Sequence, residues 1–209
     1  MDEKFSVIFW DFDGVIKESV SVKASAFFQL FEPYGSKVAE RVLRHHSNNG
    51  GMSRYSKIPI YLEWANQKVT AEIVSYYCQQ FSLLVVDKVI QSPWVLGVEN
   101  YLRSKSQNQT FIMVTATPQG EIEYILKALD LENVFFKVYG APIKKSDAIF
   151  ESISEMGIDS SKCLVIGDSI EDYQAATVNS VTFMLRETED NKSLFISYSG
   201  PSIKDFSSL

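Results

Sequence analysis

What most limits the fold open to this chain is a set of short apolar runs, rich in β-formers, with segments of helical period between the later ones. Phe5–Trp10 is the first, and Thr110–Ala116, Val134–Tyr139, Cys163–Ile166 and Val181–Leu185 follow. A run that is apolar at consecutive positions buries both faces, the condition of a strand inside a parallel sheet. Ile122, Ile125, Leu126 and Leu129 share one helical face, which Thr117 can cap with Pro118 at its first position. Ile149, Ile153 and Met156 form another, closed by Gly157. Strand and helix alternating from about residue 95 predict βαβ units in a doubly wound parallel sheet, an α/β fold.

The stretch after the first run has no credible strand and reads as four helices. Val20, Ala24, Phe27, Phe28 and Phe31 make one stripe, stopped by Pro33-Tyr34-Gly35, and Val38, Ala39, Val42 and Leu43 make the next. A third helix covers roughly Ser53 to Asn66, with Pro59 obscuring its start. Thr70 caps a fourth, which turns Ile73, Val74, Tyr77, Phe81, Leu84 and Val85 inward. Residues 17–92 are therefore expected as an all-α subdomain inserted into an α/β core of residues 1–16 and 93–209. The Ser-rich end, Phe195–Leu209, predicts a last strand and a tail.

Hydrophobic residues at 45% and charged residues at 22% exclude a disordered, collagenous or coiled-coil chain. With 20 basic against 26 acidic residues the net charge is -6, which opposes binding to nucleic-acid backbones and anionic membranes but not to a small anionic substrate held by local cations. Cys78 and Cys163 lie far apart and in no Cys-x-x-Cys spacing, as expected in a reducing compartment. The acidic Met1-Asp2-Glu3-Lys4 is unlike a signal peptide, and no run approaches the ~20 apolar residues of a membrane span. A cytoplasmic protein, monomer or homodimer, is expected.

Chemistry-bearing residues fall at the carboxyl ends of the strands, where open α/β sheets bind ligands. Asp11 and Asp13 in Asp11-Phe12-Asp13-Gly14-Val15 point the same way while the chain stays extended. Thr115 stands near the end of the second run, Lys144-Lys145 follows Gly140-Ala141-Pro142-Ile143, and the run Cys163–Ile166 breaks at Gly167 into Asp168 and Asp172. Each has a bland explanation: a solvated turn, a strand threonine, a surface lysine pair, acids favoured by a helix dipole. All of them in this order do not.

The ordered set resembles the haloacid dehalogenase-like hydrolase superfamily, and is most similar to its phosphoglycolate phosphatase and β-phosphoglucomutase branch, with residues 17–92 resembling that branch's helical C1-type cap. The resemblance implies a nucleophilic Asp11 that forms an aspartyl-phosphate. It implies that Asp13 acts as general acid and then base, its pKa raised by neighbouring negative charge. Thr115 would donate to a phosphoryl oxygen, and Lys145, in preference to Lys144, would neutralise charge. Mg²⁺ would be held by Asp11 and Asp168, with the backbone carbonyl of Asp13 and the outer Asp172 in support. Gly14, Ala116, Arg54 and Lys144 stand as substrate contacts. Gly50-Gly51-Met52-Ser53-Arg54 is similar to the substrate loop of β-phosphoglucomutase-like caps, and Arg54 is suited to grip a second anionic group. Lys17-Glu18-Ser19 departs from the branch, which often carries an Asp before the Ser.

Lys23 either faces the same cleft or belongs to a solvated helix face. His45 and His46 close a helix at its negative end and, being adjacent, make a poor metal pair. Met52, Trp64 and Trp94 are expected in the core or between domains. The expected activity is a Mg²⁺-dependent phosphatase of a small phosphorylated metabolite, a sugar phosphate or a phospho-acid such as phosphoglycolate. A phosphosugar mutase is the alternative, with a phosphate-accepting signalling or binding module behind it. Dehalogenation ranks lower, because Asp13 has no part in halide displacement.

Overall fold

A computed structural model describes residues 4–104 and 109–208; Met1, Asp2, Glu3 and Leu209, at the two ends read above, lie outside the described residues. The first strand, β1 (Val7–Trp10), is followed by four helices: α1 (Val20–Phe31), α2 (Ser36–Asn48), α3 (Arg54–Trp64) and α4 (Ala71–Gln91). A short α5 (Val98–Arg103), not anticipated from the sequence, leads into β2 (Thr110–Pro118) and α6 (Gln119–Ala128). Then come β3 (Lys137–Ala141), α7 (Lys145–Met156), β4 (Cys163–Gly167), α8 (Ile170–Val178), β5 (Thr182–Arg186) and β6 (Ser202–Ile203).

The six strands form one parallel sheet in the order β3-β2-β1-β4-β5-β6, with β1 between β2 and β4. This is the expected doubly wound α/β sheet, and its order reverses beside β1, the place where such sheets leave a crevice. All four residues of β1 are buried, alternately on opposite faces. Ile8 and Trp10 join the hydrophobic cluster shared with α1–α4, whereas Val7 and Phe9 join the cluster under α7 and α8. Cys78 and Cys163 fall one in each cluster. Among the described residues no helix is long and apolar enough to cross a membrane.

The four expected inserted helices are present. Pro59 lies inside α3 rather than at its edge. Complete burial of Ile58, Tyr61 and Leu62 explains this: each contributes roughly 1.5–3 kcal/mol, together more than the ~3 kcal/mol an internal proline costs. The third strand runs from Lys137 instead of Val134, because Phe135 tucks into the core ahead of it and Phe136 is 71% exposed. Thr117 does not cap the following helix; β2 runs on to Pro118, and α6 begins at Gln119. The expected tail holds β6 and the buried side chains of Phe195 and Phe206, so much of it is packed.

Candidate active site

Parallel register gathers the site at one edge. Trp10 stands level with Met113 on β2 and Ile166 on β4. Asp11 therefore comes one residue past that level, and Thr115 and Asp168 two residues past it. The Asp11 N–H donates to the Ile166 carbonyl at 3.0 Å, which fixes the start of the turn. At Gly14 the backbone takes φ 77°, and a methyl group there would overlap the Asp168 carboxylate. Glycine serves twice: it allows the turn and admits Asp168. Gly167 likewise leaves room for the Asp172 side chain.

Lys145, in the first turn of α7, reaches two of the acids of the floor. Its Nζ lies 3.0 Å from Asp11 Oδ1 and 2.7 Å from Asp172 Oδ1. The other Asp172 oxygen accepts from Ser169 Oγ at 2.5 Å and from the Ser169 N–H at 3.2 Å, the reciprocal capping box that starts α8. Asp11, Asp168 and Asp172 each bring a carboxylate oxygen within 4.8 Å of the others. Burial raises the Asp11 pKa and Asp172 adds repulsion; Lys145 pulls it back, leaving it at about 7. Asp168 is driven well above the carboxylate range by burial and then by Asp11 and Asp172. Burial opposes the charge on Lys145, yet the two carboxylates outweigh it and its pKa is raised. Three carboxylates share one ammonium, and all offer hard oxygen donors, a set that fits a small divalent cation. Thr115, 1% exposed, and Ala116 line the cavity beside them.

Asp13 has different company. Ser19 Oγ donates to its Oδ1 at 2.6 Å, Lys23 Nζ forms a close ion pair with its Oδ2, and Thr117 Oγ1 donates to that oxygen at 3.3 Å. Lys23 also donates to Thr117 Oγ1 at 2.8 Å, so of its two expected placements the cleft is the one observed. The Asp13 pKa is lowered rather than raised as expected. Burial does push it up, but the Lys23 charge and the hydrogen bonds from Lys23 and Ser19 prevail, and the net shift is downward.

Above these residues is a cavity of about 480 Å³. Arg54 borders it, but its guanidinium is turned to Glu121, at 2.5 and 2.9 Å, and to Ser82 at 2.7 Å. Both side chains of that ion pair are nearly buried, so the fork expected to grip substrate instead joins α3 to α6. Lys144 and Gly14, also expected as substrate contacts, are not among the cavity's lining residues; Lys144 is exposed as the N-cap of α7. Met52, expected in the core or between domains, lines the cavity. His45 and His46 diverge as expected, His45 meeting Tyr61 Oη at 3.0 Å and His46 meeting Lys57 Nζ at 2.8 Å. His46 is not the cation supposed for the helix end: burial and then Lys57 hold its pKa well below the usual value.

Sequence reasoning missed Thr117, Lys57 and Asn191. Asn191 donates to the carbonyls of Asp168 and Arg186, each at 2.9 Å, and ties the loop after β5 to the site. Arg186 in turn forks onto Glu18, next to β1's exit, with one arm at 3.1 Å. Thr117 had a detectable signal, since it lies two residues beyond Thr115, the spacing at which strand side chains share a side.

Residues 7–185 match the family model for haloacid dehalogenase-like hydrolases. The phosphorylated carbohydrates phosphatase of Thermotoga maritima is 22% identical over 196 residues, which span 90% of this chain and 88% of that protein. Among solved structures, β-phosphoglucomutase from Clostridium difficile aligns with TM-score 0.75 at 17% identity, covering 98% of this chain and 93% of its own. A predicted phosphoglycolate phosphatase from Haemophilus somnus aligns with TM-score 0.74 at 19% identity, covering 97% and 95%. At these identities the two structures attest the fold.

Proposed function

The chain belongs to the haloacid dehalogenase-like hydrolase family, and from that premise we propose that it is a Mg²⁺-dependent phosphatase of a small phosphorylated metabolite, a sugar phosphate or phospho-acid. The observation that carries this reading is the meeting of Asp11, Asp168 and Asp172 around Lys145 on the floor of a cavity large enough for a metabolite. The name of the Thermotoga maritima relative supports the substrate class. Residues 17–92 serve as the cap and residues 1–16 and 93–209 as the core.

An Asp11 oxygen attacks phosphorus, and the bond from phosphorus to the ester oxygen breaks as the new one forms. Asp13 gives the leaving alcohol its proton. It then takes a proton from water, whose oxygen attacks the aspartyl-phosphate, frees inorganic phosphate and restores Asp11. Lys145 and the Thr115 hydroxyl stabilise the phosphoryl oxygens through both steps. Mg²⁺, held by Asp11, Asp168 and the carbonyl of Asp13 with Asp172 behind, would supply the positive charge that lets an anionic nucleophile approach an anionic phosphate. Lys23 favours ionised Asp13, the form suited to activating water, so the protonated form needed for the first step is held back by that ion pair.

The test is hydrolysis of para-nitrophenyl phosphate. Phosphate release is expected to require Mg²⁺ and to fall on the order of 10⁴-fold in Asp11→Asn. Turnover surviving in that variant removes Asp11 as nucleophile. A sugar phosphate returned as its isomer, with a bisphosphate activator required, makes the protein a mutase.

A further inference from the structure

Lys57 and His46 form a polar pair in the roof of the cavity that the proposed phosphoryl chemistry leaves unused. Lys57 on α3 is 1% exposed and His46 on α2 is 4% exposed, and both line the cavity. Lys57 Nζ sits 2.8 Å from His46 Nδ1. When Lys57 is charged its ammonium only donates, and Nδ1 then accepts with the imidazole proton on Nε2. The other buried cations of the lining are engaged: Arg54 with Glu121, Lys145 with Asp11 and Asp172, Arg186 with Glu18. Among the described residues no carboxylate stands within ion-pairing distance of Lys57; Glu171, the acid that acts on it most, does not reach it.

A buried ammonium with one neutral partner is costly to the fold and is rewarded when an anion enters. We propose that Lys57, oriented by His46, binds a second anionic group of the substrate, a carboxylate or distal phosphate, so that the preferred substrate is a phosphate ester carrying a further oxyanion rather than a neutral sugar monophosphate. This rests on the phosphatase reading, and it transfers the distal contact from Arg54 to a side chain that is available. Burial lowers the Lys57 pKa to about 7, so a bound anion restores the full charge.

The test uses three non-hydrolysable ligands in the presence of Mg²⁺: propylphosphonate, phosphonopropionate, and propane bisphosphonate. Calorimetric affinities for the wild type are expected to rise about tenfold or more on adding the carboxylate or the second phosphonate, whichever the site takes. In Lys57→Met that gain is lost. Absence of any gain in the wild type, or its persistence in the variant, overturns the proposal. Lys57→Met is expected to melt no lower than the wild type, because an unpaired buried charge is replaced by an apolar chain of similar length; a lower melting point assigns Lys57 a structural role instead. If Lys57→Met does not fold, Lys57→Gln carries the same comparison. Release of phosphate from para-nitrophenyl phosphate, measured alongside, reports on the phosphatase reading separately, since these affinities do not depend on turnover.

Discussion

The floor and the roof of the cavity hold opposite surpluses of charge. On the floor, Asp11, Asp168 and Asp172 outnumber Lys145, and the capping box of α8 and the approach at Gly14 lock them in place. In the roof, Lys57 lacks a carboxylate partner and leans on a neutral imidazole. One surface recruits positive charge, the other an anion. The contrast teaches a division of labour: under the proposed function the floor handles a phosphoryl group common to many substrates, and the roof tells those substrates apart. Arg54, Ser82 and Glu121 belong to neither task; they tie α3 and α4 to α6.

The largest effect is expected from Lys145→Met, which leaves the floor's acids without their ammonium. The turnover of para-nitrophenyl phosphate should fall on the order of 10³-fold or more. Urea denaturation should show a loss of about 3–5 kcal/mol, the usual cost of stranding a buried charge. A variant that keeps its rate would show that the floor's charge balance is dispensable. Next comes the seam between the surfaces. Arg54→Met and Glu121→Gln should each cost about 3 kcal/mol, and the double variant less than their sum, with a coupling of about 1.5–3 kcal/mol in a denaturation cycle. Additive losses, with KM raised only for substrates bearing a distal anion, would return Arg54 to the role read from its motif.

The floor was legible in the sequence because its determinants are local. Period-two alternation puts Asp11 and Asp13 on one side, and a Gly at the end of a buried run forecasts where Asp168 and Asp172 turn out of the sheet. The roof was legible only as helices. Arg54 could be seen in its loop, but its partner Glu121 lies 67 residues away on another layer, and no periodicity connects them. Lys57 looked like any polar position of a helix, and its burial follows from how α3 packs between α2 and α4. Asp13 failed in an intermediate way: its position was evident, but the sign of its pKa shift depends on which turn of α1 brings Lys23 to it.

A smaller effect sharpens the floor alone. Gly14→Ala places a side chain at φ 77° and against the Asp168 carboxylate. The backbone conformation alone costs roughly 1–2 kcal/mol. Displacing Asp168 should raise the Mg²⁺ concentration for half-maximal turnover about tenfold, while the rate at saturating Mg²⁺ changes less. An unaltered Mg²⁺ dependence would separate Asp168 from the cation site.

The smallest effect lies where roof meets floor, at the Lys23–Asp13 ion pair. Lys23 belongs to an inserted helix, Asp13 to the turn after β1, and the ammonium is the strongest influence lowering the Asp13 pKa against its burial. A general acid must be protonated, so activity that needs it declines as pH rises through its pKa. Lys23→Met removes the lowering charge and leaves burial to act, so the Asp13 pKa should rise and that decline should move to higher pH. The measurement is the pH profile of kcat/KM for an alkyl phosphate, whose departing alcohol needs a proton. Para-nitrophenyl phosphate, with a leaving group that needs little protonation, should show a weaker shift or none. Equal shifts with both substrates would assign the change to binding or to Asp11, and a shift to lower pH would mean that Lys23, rather than Asp13, supplies the proton.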